Sequence, residues 1–527
     1  MRLRGVVALG LTALAVAGGA GGASARTIVG TNGNDVLVGT PGADTIDGLG
    51  GADRIYGGAG PDLLIGGPGP DLLVGGPGND RIAAEYDGSR DTIRCGPGYD
   101  VVTADQLDRV AADCELVSRR LSRDPYGNPE SQHETEVEPD SATAGATTVT
   151  AFQVGRRADG AATNIGFARS TDGGATWRNG LLPGLTTASR PAGPNERASD
   201  PAVAYDATHR TWLIVSLAID GATTRLTVSR STDGTSWSAP VVAAEATAGG
   251  SGGEDGGISF DKEWLACDNG AVSPLRGRCY LAYTDTQRAS ALGVITSEDG
   301  GATWSQPVLA PASDIVGAVP VVRPDGELVV PFLWHGSSVG VVTSSDGGQT
   351  FTLPVTVSDV RTHPTPGLRF FPLPSAAVDR GGRVWIAWYD CRFSTACATN
   401  DVVVATSDDA VAWSAPVAVT SGRNAVIPAI GVQSATGRVA IAYYTVGATG
   451  IDAELVESRA NGVGFGAPRR LTTRTMEPTW LPNTVSGRML ADYISVTFSG
   501  SQPLVVWALA SPPVGSSLRQ AIYATRG

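Results

Sequence analysis

Ser170-Thr171-Asp172-Gly173-Gly174-Ala175-Thr176-Trp177 decides the fold, because the chain repeats it. Ser297-Glu298-Asp299-Gly300-Gly301-Ala302-Thr303-Trp304 is a full copy, and Ser344-Ser345-Asp346-Gly347-Gly348-Gln349-Thr350-Phe351 is another with Phe for Trp. Residues 231–237 are a copy one residue shorter, and residues 407–413 and 458–465 are degenerate versions. Five of the six copies are followed, three residues past the aromatic, by Pro240, Pro307, Pro354, Pro416 and Pro468. Asp-Gly-Gly between two β-rich runs predicts a tight hairpin turn. The Asp carboxylate is placed to accept hydrogen bonds from the N–H groups of its own turn. The Ser and Thr hydroxyls add local bonds, and the aromatic fills the space between neighbouring sheets. Copies spaced tens of residues apart predict an array of similar β units.

The repeated stretch resembles the Asp-box, S-x-D-x-G-x-T-W, of sialidases and related β-propellers. The resemblance covers nearly all of residues 133–527. It implies an all-β, sialidase-like β-propeller of six or seven four-stranded blades, with the boxes as structural hairpins far from the active centre. Strand quartets start near Glu136, Asp200, Asp261, Val319, Ser375 and Val426. Beyond them, residues 493–499, 503–510 and 520–525 read as three strands without a fourth. Strand counting therefore favours seven blades, closed by a strand from near Ser131.

A propeller's usual site is the mouth of its central channel. Residues placed there by strand position are Glu136, Glu138, Asp140, Asp200, Asp261, Lys262, Glu263, Asp390, Arg392, Arg488, Asp492 and Tyr493. The sialidase resemblance implies three arginines on the sugar carboxylate, a Tyr–Glu nucleophile and an Asp acid/base. Tyr493, Asp390, Asp140 and Glu138 are the candidate catalytic residues. Arg392 and Arg488 are candidate clamps, with Arg369 or Arg197 as the third. The chain departs from that family at Glu136-Val137-Glu138-Pro139-Asp140, where the F/Y-R-I-P motif would stand. That departure favours glycan binding over sialic acid hydrolysis. An exo-α-sialidase or another glycoside hydrolase is the alternative, since paired carboxylates serve such chemistry. No Ser-His-Asp pattern or nucleotide fingerprint stands out, and His133, His209, His335 and His363 lack metal-ligand spacing.

The N-terminal part repeats every nine residues. Asp35, Asp44, Asp53, Asp62, Asp71 and Asp80 are in phase, as are Leu37, Ile46, Ile55, Leu64, Leu73 and Ile82. Gly57-Gly58-Ala59-Gly60-Pro61-Asp62-Leu63-Leu64-Ile65 shows the whole unit. It resembles the G-G-x-G-x-D-x-U-x repeat of calcium-binding RTX proteins. The resemblance implies a parallel β-roll in which the six in-phase Asp residues bind calcium, while the large apolar residue fills a narrow core. Fifteen acids against eight basic residues between Arg26 and Arg120 favour cation binding. The phase slips after Ile82; Asp91-Thr92-Ile93 and Asp100-Val101-Val102 read as two later, degenerate units nine residues apart, and residues 91–117 hold a short capping turn or helix.

The chain has 527 residues and a net charge of −13, which argues against a nucleic-acid surface. Lys262 is the one lysine. Arg2 and Arg4, a short apolar run and Ala23-Ser24-Ala25 read as a signal peptide over residues 1–25, leaving no membrane span after cleavage. The expected divisions are the β-roll over 26–120, a linker over 121–132 and the propeller over 133–527. The six cysteines fit an oxidising compartment and fall as near neighbours. Local bridges are favoured: Cys95 with Cys114, Cys267 with Cys279, and Cys391 with Cys397. The expected partners are calcium ions and extracellular glycans or glycoproteins.

Overall fold

A computed structural model describes residues 24–247, 259–459, 462 and 464–527. The signal peptide expected over residues 1–25 falls, but for its last two residues, outside them. No helix among the described residues is long and apolar enough to cross a membrane.

The nine-residue period produces a parallel solenoid. Each coil spends one unit on each of two sheets, so strands 18 residues apart become neighbours. Ile28 pairs with Ile46 and Ile46 with Leu64 in one sheet; Leu37 pairs with Ile55 and Ile55 with Leu73 in the other. Strands of three or four residues suffice because one apolar side chain per unit faces inward. Ile46, Ile55, Leu64, Leu73, Ile82, Ile93 and Val102 are all fully buried in this core. Of the capping turn or helix expected over 91–117, the structure has turns, at residues 106–107 and 112–113, and no helix. That region forms short strands, Thr92–Arg94, Val101–Ala104 and Arg109–Val110, and Leu116–Arg120 follows.

The rest of the described chain is antiparallel. The quartet expected to start near Asp200 forms the strands Arg197–Asp206, Thr211–Asp220, Thr223–Ser231 and Val241–Thr247. The expected fold of a propeller with separate four-stranded blades does not stand. Two sheets run across the expected blade boundaries, while three others keep to single quartets of four strands. One nine-stranded sheet contains six solenoid strands together with Gln520–Arg526, Gln502–Ala510 and Ser495–Ser499. One eight-stranded sheet joins the first two quartets through Ala162 and Ala198. The chain is all-β, a parallel solenoid whose sheet continues into a series of antiparallel sheets.

The strand expected from near Ser131 to complete the C-terminal sheet is Leu116–Arg120 instead. It lies between Val101–Ala104 on one side and Gln520–Arg526 on the other, parallel to the first and antiparallel to the second. Side chains reinforce the junction. Ser118 and Thr525 share a hydrogen bond at 2.7 Å, and Arg474 pairs with Glu85 at 2.8 Å.

In the copies that carry an Asp, at Asp172, Asp233, Asp299, Asp346 and Asp409, the box is a hairpin turn and the Asp binds that turn. In the third copy the Asp299 carboxylate accepts the N–H groups of Ala302 and Thr303, both at 2.9 Å, and the Thr303 hydroxyl at 2.7 Å. Ser297 donates to the same carboxylate and accepts from Gly301 N–H. Boxes also tie neighbours together: Arg230 donates to Gly300 O at 2.8 Å, and Arg278 to Gly347 O at 2.8 Å. All three local disulfides are formed.

Candidate functional site

Two places gather chemistry. The first is the turn side of the solenoid. The carboxylates there form two columns, one per sheet, with rungs 18 residues apart. One oxygen of each accepts the backbone N–H of the Asp one coil earlier: Asp53 from Asp35 at 2.8 Å, Asp62 from Asp44, Asp71 from Asp53, and Asp80 from Asp62. The second oxygen of Asp53, Asp62, Asp71 and Asp80 is buried with no hydrogen-bond partner. Such an atom is costly unless something binds it. Asp35 and Asp44 differ, since their second oxygens take the N–H groups of Thr31 and Thr40.

The glycines of each turn leave a cradle beside the orphaned oxygen. A Cβ on Gly57 would fall 2.5 Å from Gly75 O and 2.6 Å from Asp62 Oδ2. On Gly48 it would fall 2.6 Å from Gly66 O and 2.5 Å from Asp53 Oδ2. No group of three or more His, Cys, Asp or Glu side chains converges among the described residues. The donor set is therefore one carboxylate per turn plus backbone carbonyls, all hard oxygens of the kind calcium takes. Burial pushes Asp71 and Asp80 up to about 7, with the carboxylates of the same column adding to it against the rung hydrogen bonds. Such a stack ionises most readily with cations between its rungs. The residues fit calcium.

The second place is a cleft of about 370 Å³ where inner strands of several sheets converge. Lys262 Nζ lies 2.7 Å from Asp200, 2.6 Å from Asp492 and 3.4 Å from Glu138. Arg369 holds the other oxygen of Asp492. Arg156, Arg197, Asp261 and Arg369 complete the charged wall. Glu138 also accepts from Gln153, which donates to Ser199 as well.

A shared backbone device aims these groups. The inner strands bulge between Val137 and Asp140, Ser199 and Ala202, Asp261 and Trp264, and Val426 and Ala429. At each bulge one non-glycine residue takes a left-handed conformation: Glu138 (φ 53°), Asp200 (φ 45°), Lys262 (φ 49°) and Ile427 (φ 51°). A bulge turns a side chain away from the regular alternation of its strand. In three of the four, that side chain is charged and enters the cleft.

Burial and charge set the protonation pattern. Burial pushes Lys262 down, but Asp200, Asp492 and Glu138 outweigh it and hold the ammonium well above its usual range. Burial raises Asp492, yet Lys262 and Arg369 hold it below the usual carboxylate range. Glu138, the most distant of the three acids, is raised well above its usual range by burial despite Lys262.

Deeper in, Glu263, Trp264 and Tyr493 line a cavity of about 530 Å³. Tyr493 is raised by burial, and its hydroxyl donates to Pro201 O at 3.1 Å. Both Glu263 oxygens are buried without a partner, and burial raises this carboxyl well above its usual range.

Of the residues singled out in the sequence, Glu138, Arg197, Asp200, Asp261, Lys262 and Arg369 meet in the charged cleft, and Glu263, Asp492 and Tyr493 line the adjoining cavity. Asp140 accepts the Val203 N–H at 2.7 Å and lines a separate void with Ser141 and Ser495. Asp390 and Arg392 pair with each other at 2.7 Å, and neither lines the cleft. Arg488 donates to Thr479 O and Leu481 O, also outside the cleft. Arg156 and Gln153 had no signal in the sequence. Both sit on Thr147–Arg156, a strand buried almost throughout, where a polar residue does not announce its direction.

The solenoid and its cradles define a calcium-binding repeat protein with an all-β body. Residues 29–64 and 57–85 match the RTX calcium-binding nonapeptide repeat, and such repeats bind calcium. No curated protein matches the chain. Among solved structures, the chain is similar to a protein of unknown function from Dyadobacter fermentans (18% identity, 65% of this chain and 98% of that one, TM-score 0.43). It is also similar to a Hadza microbial sialidase (19% identity, 60% of this chain and 64% of that one, TM-score 0.41). A third similar structure is the Trypanosoma rangeli sialidase in complex with the inhibitor DANA (14% identity, 62% of this chain and 55% of that one, TM-score 0.41).

Proposed function

We propose that this is a secreted, calcium-loaded protein whose antiparallel body binds a glycan in the Lys262 cleft. The observation that carries the reading is the convergence of planar charged groups of both signs on one cavity. Glu138, Asp200 and Asp261 face Arg156, Arg197 and Arg369 there. Sugar hydroxyls both donate and accept, so a wall of mixed carboxylates and guanidiniums suits them. A wall of one sign would suit an ion. Binding is favoured over hydrolysis because Asp200 and Asp492 are engaged by Lys262, and the Tyr493 hydroxyl by Pro201 O. Glu263, a buried carboxyl without a partner in the cavity that Tyr493 lines, favours a glycoside hydrolase as the second reading. Secretion rests on the signal-like residues 1–25 and on three disulfides, which persist in oxidising compartments.

The test is a glycan array probed with the mature chain in calcium, alongside a panel of aryl glycosides. Retention on a defined glycan, lost in Arg197→Ala, supports binding. Release of an aglycone that is lost in Glu263→Gln supports the second reading. A folded protein that neither binds nor cleaves any member of either set refutes both.

A further inference from the structure

We propose that the cavity of about 530 Å³ beneath the cleft binds a small organic ammonium, a compact apolar group carrying one protonated amine. The proposal is independent of the glycan reading. A glycan would occupy the cleft, and Lys262 is the one residue that lines both spaces.

Glu263 carries the argument. The inner strand Phe260–Cys267 bulges between Asp261 and Trp264, which turns two consecutive residues to the interior. Lys262 meets Asp200, Asp492 and Glu138, while Glu263 lines the cavity. Glu263 is fully buried, and neither of its oxygens has a hydrogen-bond partner. The other ionisable and hydroxyl side chains of the lining are engaged. Asp492 is held by Lys262 and Arg369. The Ser375 hydroxyl accepts the Ile430 N–H at 3.1 Å, and the Tyr493 hydroxyl donates to Pro201 O. One carboxyl is left over in the lining.

Charge and shape decide what would satisfy it. Burial raises Glu263 well above its usual range, with Asp200 and Asp261 adding to it and Lys262 opposing it. A buried carboxylate in such a field calls for a positive charge. A metal ion would need several hard oxygens. No group of three or more His, Cys, Asp or Glu side chains converges among the described residues. An ammonium needs less, one carboxylate for its head and apolar walls for its body. Val319, Leu373, Pro374, Ile427 and Ile494 supply those walls. Trp264 and Tyr493, edge to face at 4.8 Å, add the aromatic surface that ammonium groups favour.

Cyclohexylamine is the probe, and cyclohexanol is its neutral counterpart of the same size. Both are titrated calorimetrically into the mature full-length protein in calcium at neutral pH, where the amine is protonated. A charge-assisted bond to Glu263 should make the amine bind about tenfold tighter or more. Glu263→Gln keeps the shape and removes the charge, so it should bind amine and alcohol alike. Val319→Phe fills part of the cavity and should weaken both. Equal binding of amine and alcohol to the wild type, no binding of the amine at all, or an amine preference that survives in Glu263→Gln overturns the proposal. Should Glu263→Gln fail to fold, Val319→Phe decides, and amine binding that it leaves unchanged overturns the proposal. No glycan or glycoside enters these measurements, so this proposal and the glycan reading can each fail alone.

Discussion

Replacing Lys262 with Ala should cost the body more than its one side chain suggests. The ammonium sits 2.7 Å from Asp200, 2.6 Å from Asp492 and 3.4 Å from Glu138, all buried. Removing one member of a buried ion cluster leaves charge without compensation, at a cost of roughly 3–5 kcal/mol. Arg369 still holds Asp492, so the lower end, about 3 kcal/mol, is expected. In a body this large that is a fall in melting temperature on the order of 5 °C. The loss should depend on pH. A carboxylate deprived of its cation is relieved by taking a proton, so its folded pKa rises above the unfolded one. A group raised in this way favours the folded state at low pH and loses that advantage as pH rises. The deficit should therefore be larger at about pH 8 than at about pH 5. Thermal melts of wild type and Lys262→Ala in calcium at both pH values test this. A deficit under about 1 kcal/mol, equal at both pH values, would refute the view that the cluster is held together by its lysine.

Chelating calcium should unravel the solenoid and also loosen the C-terminal sheet, because Leu116–Arg120 belongs to both. Hydrogen exchange should show Gln520–Arg526 losing protection along with residues 45–104, and unchanged exchange at 520–526 would count against the shared sheet. Asp299→Ala should lower stability by about 1–2 kcal/mol, less than its bonds in isolation would suggest because the turn is largely solvated. Those bonds hold Asp299 down to about 2 against the upward push of partial burial. The contribution is thus present above the ordinary carboxylate range and lost as pH falls through about 2. Melts of wild type and variant that stay apart at pH 1–2 would contradict that assignment.

The two repeats were legible for different reasons. In the solenoid, one Asp and one Leu or Ile per nine residues survive because each half-coil has a single inward position and a single carboxylate position. The box was legible because Asp299 and its copies bond only to their own turns, so nothing distant is needed to read them. The partners of Leu116–Arg120 were not legible. Leu-Val-Ser-Arg-Arg has lost the repeat's Asp and Gly, and its pairing partner lies about four hundred residues away, at Gln520–Arg526. The sheets that cross quartet boundaries escaped the reading for a related reason. A strand pattern fixes which face is buried but not which neighbour is paired. Asp390, Arg392 and Arg488 were placed at the channel mouth by strand order, and the structure puts them in local bonds elsewhere.

The cleft itself breaks local rules, and that is the strongest sign that it serves a purpose. Glu138, Asp200 and Lys262 adopt a left-handed backbone without being glycine. Each such residue costs on the order of 1–3 kcal/mol and persists only where its surroundings insist on it. Buried ion clusters are at best weakly stabilising compared with apolar packing of the same volume. Strain and buried charge thus coincide at the same three residues, drawn from separate inner strands, whereas stability alone would have placed glycines at the bulges and aliphatic side chains in the cleft. Ile427 shows that alternative within the same molecule: the same bulge and the same φ, but an apolar side chain facing the apolar cavity. The backbone device is therefore general to the inner strands. The charges are the special feature, and they occur where Arg156, Arg197 and Arg369 line the same cleft. A ligand that engages both the acids and the arginines of the cleft would offset part of the strain, so binding should raise the melting temperature of the wild type more than that of Lys262→Ala.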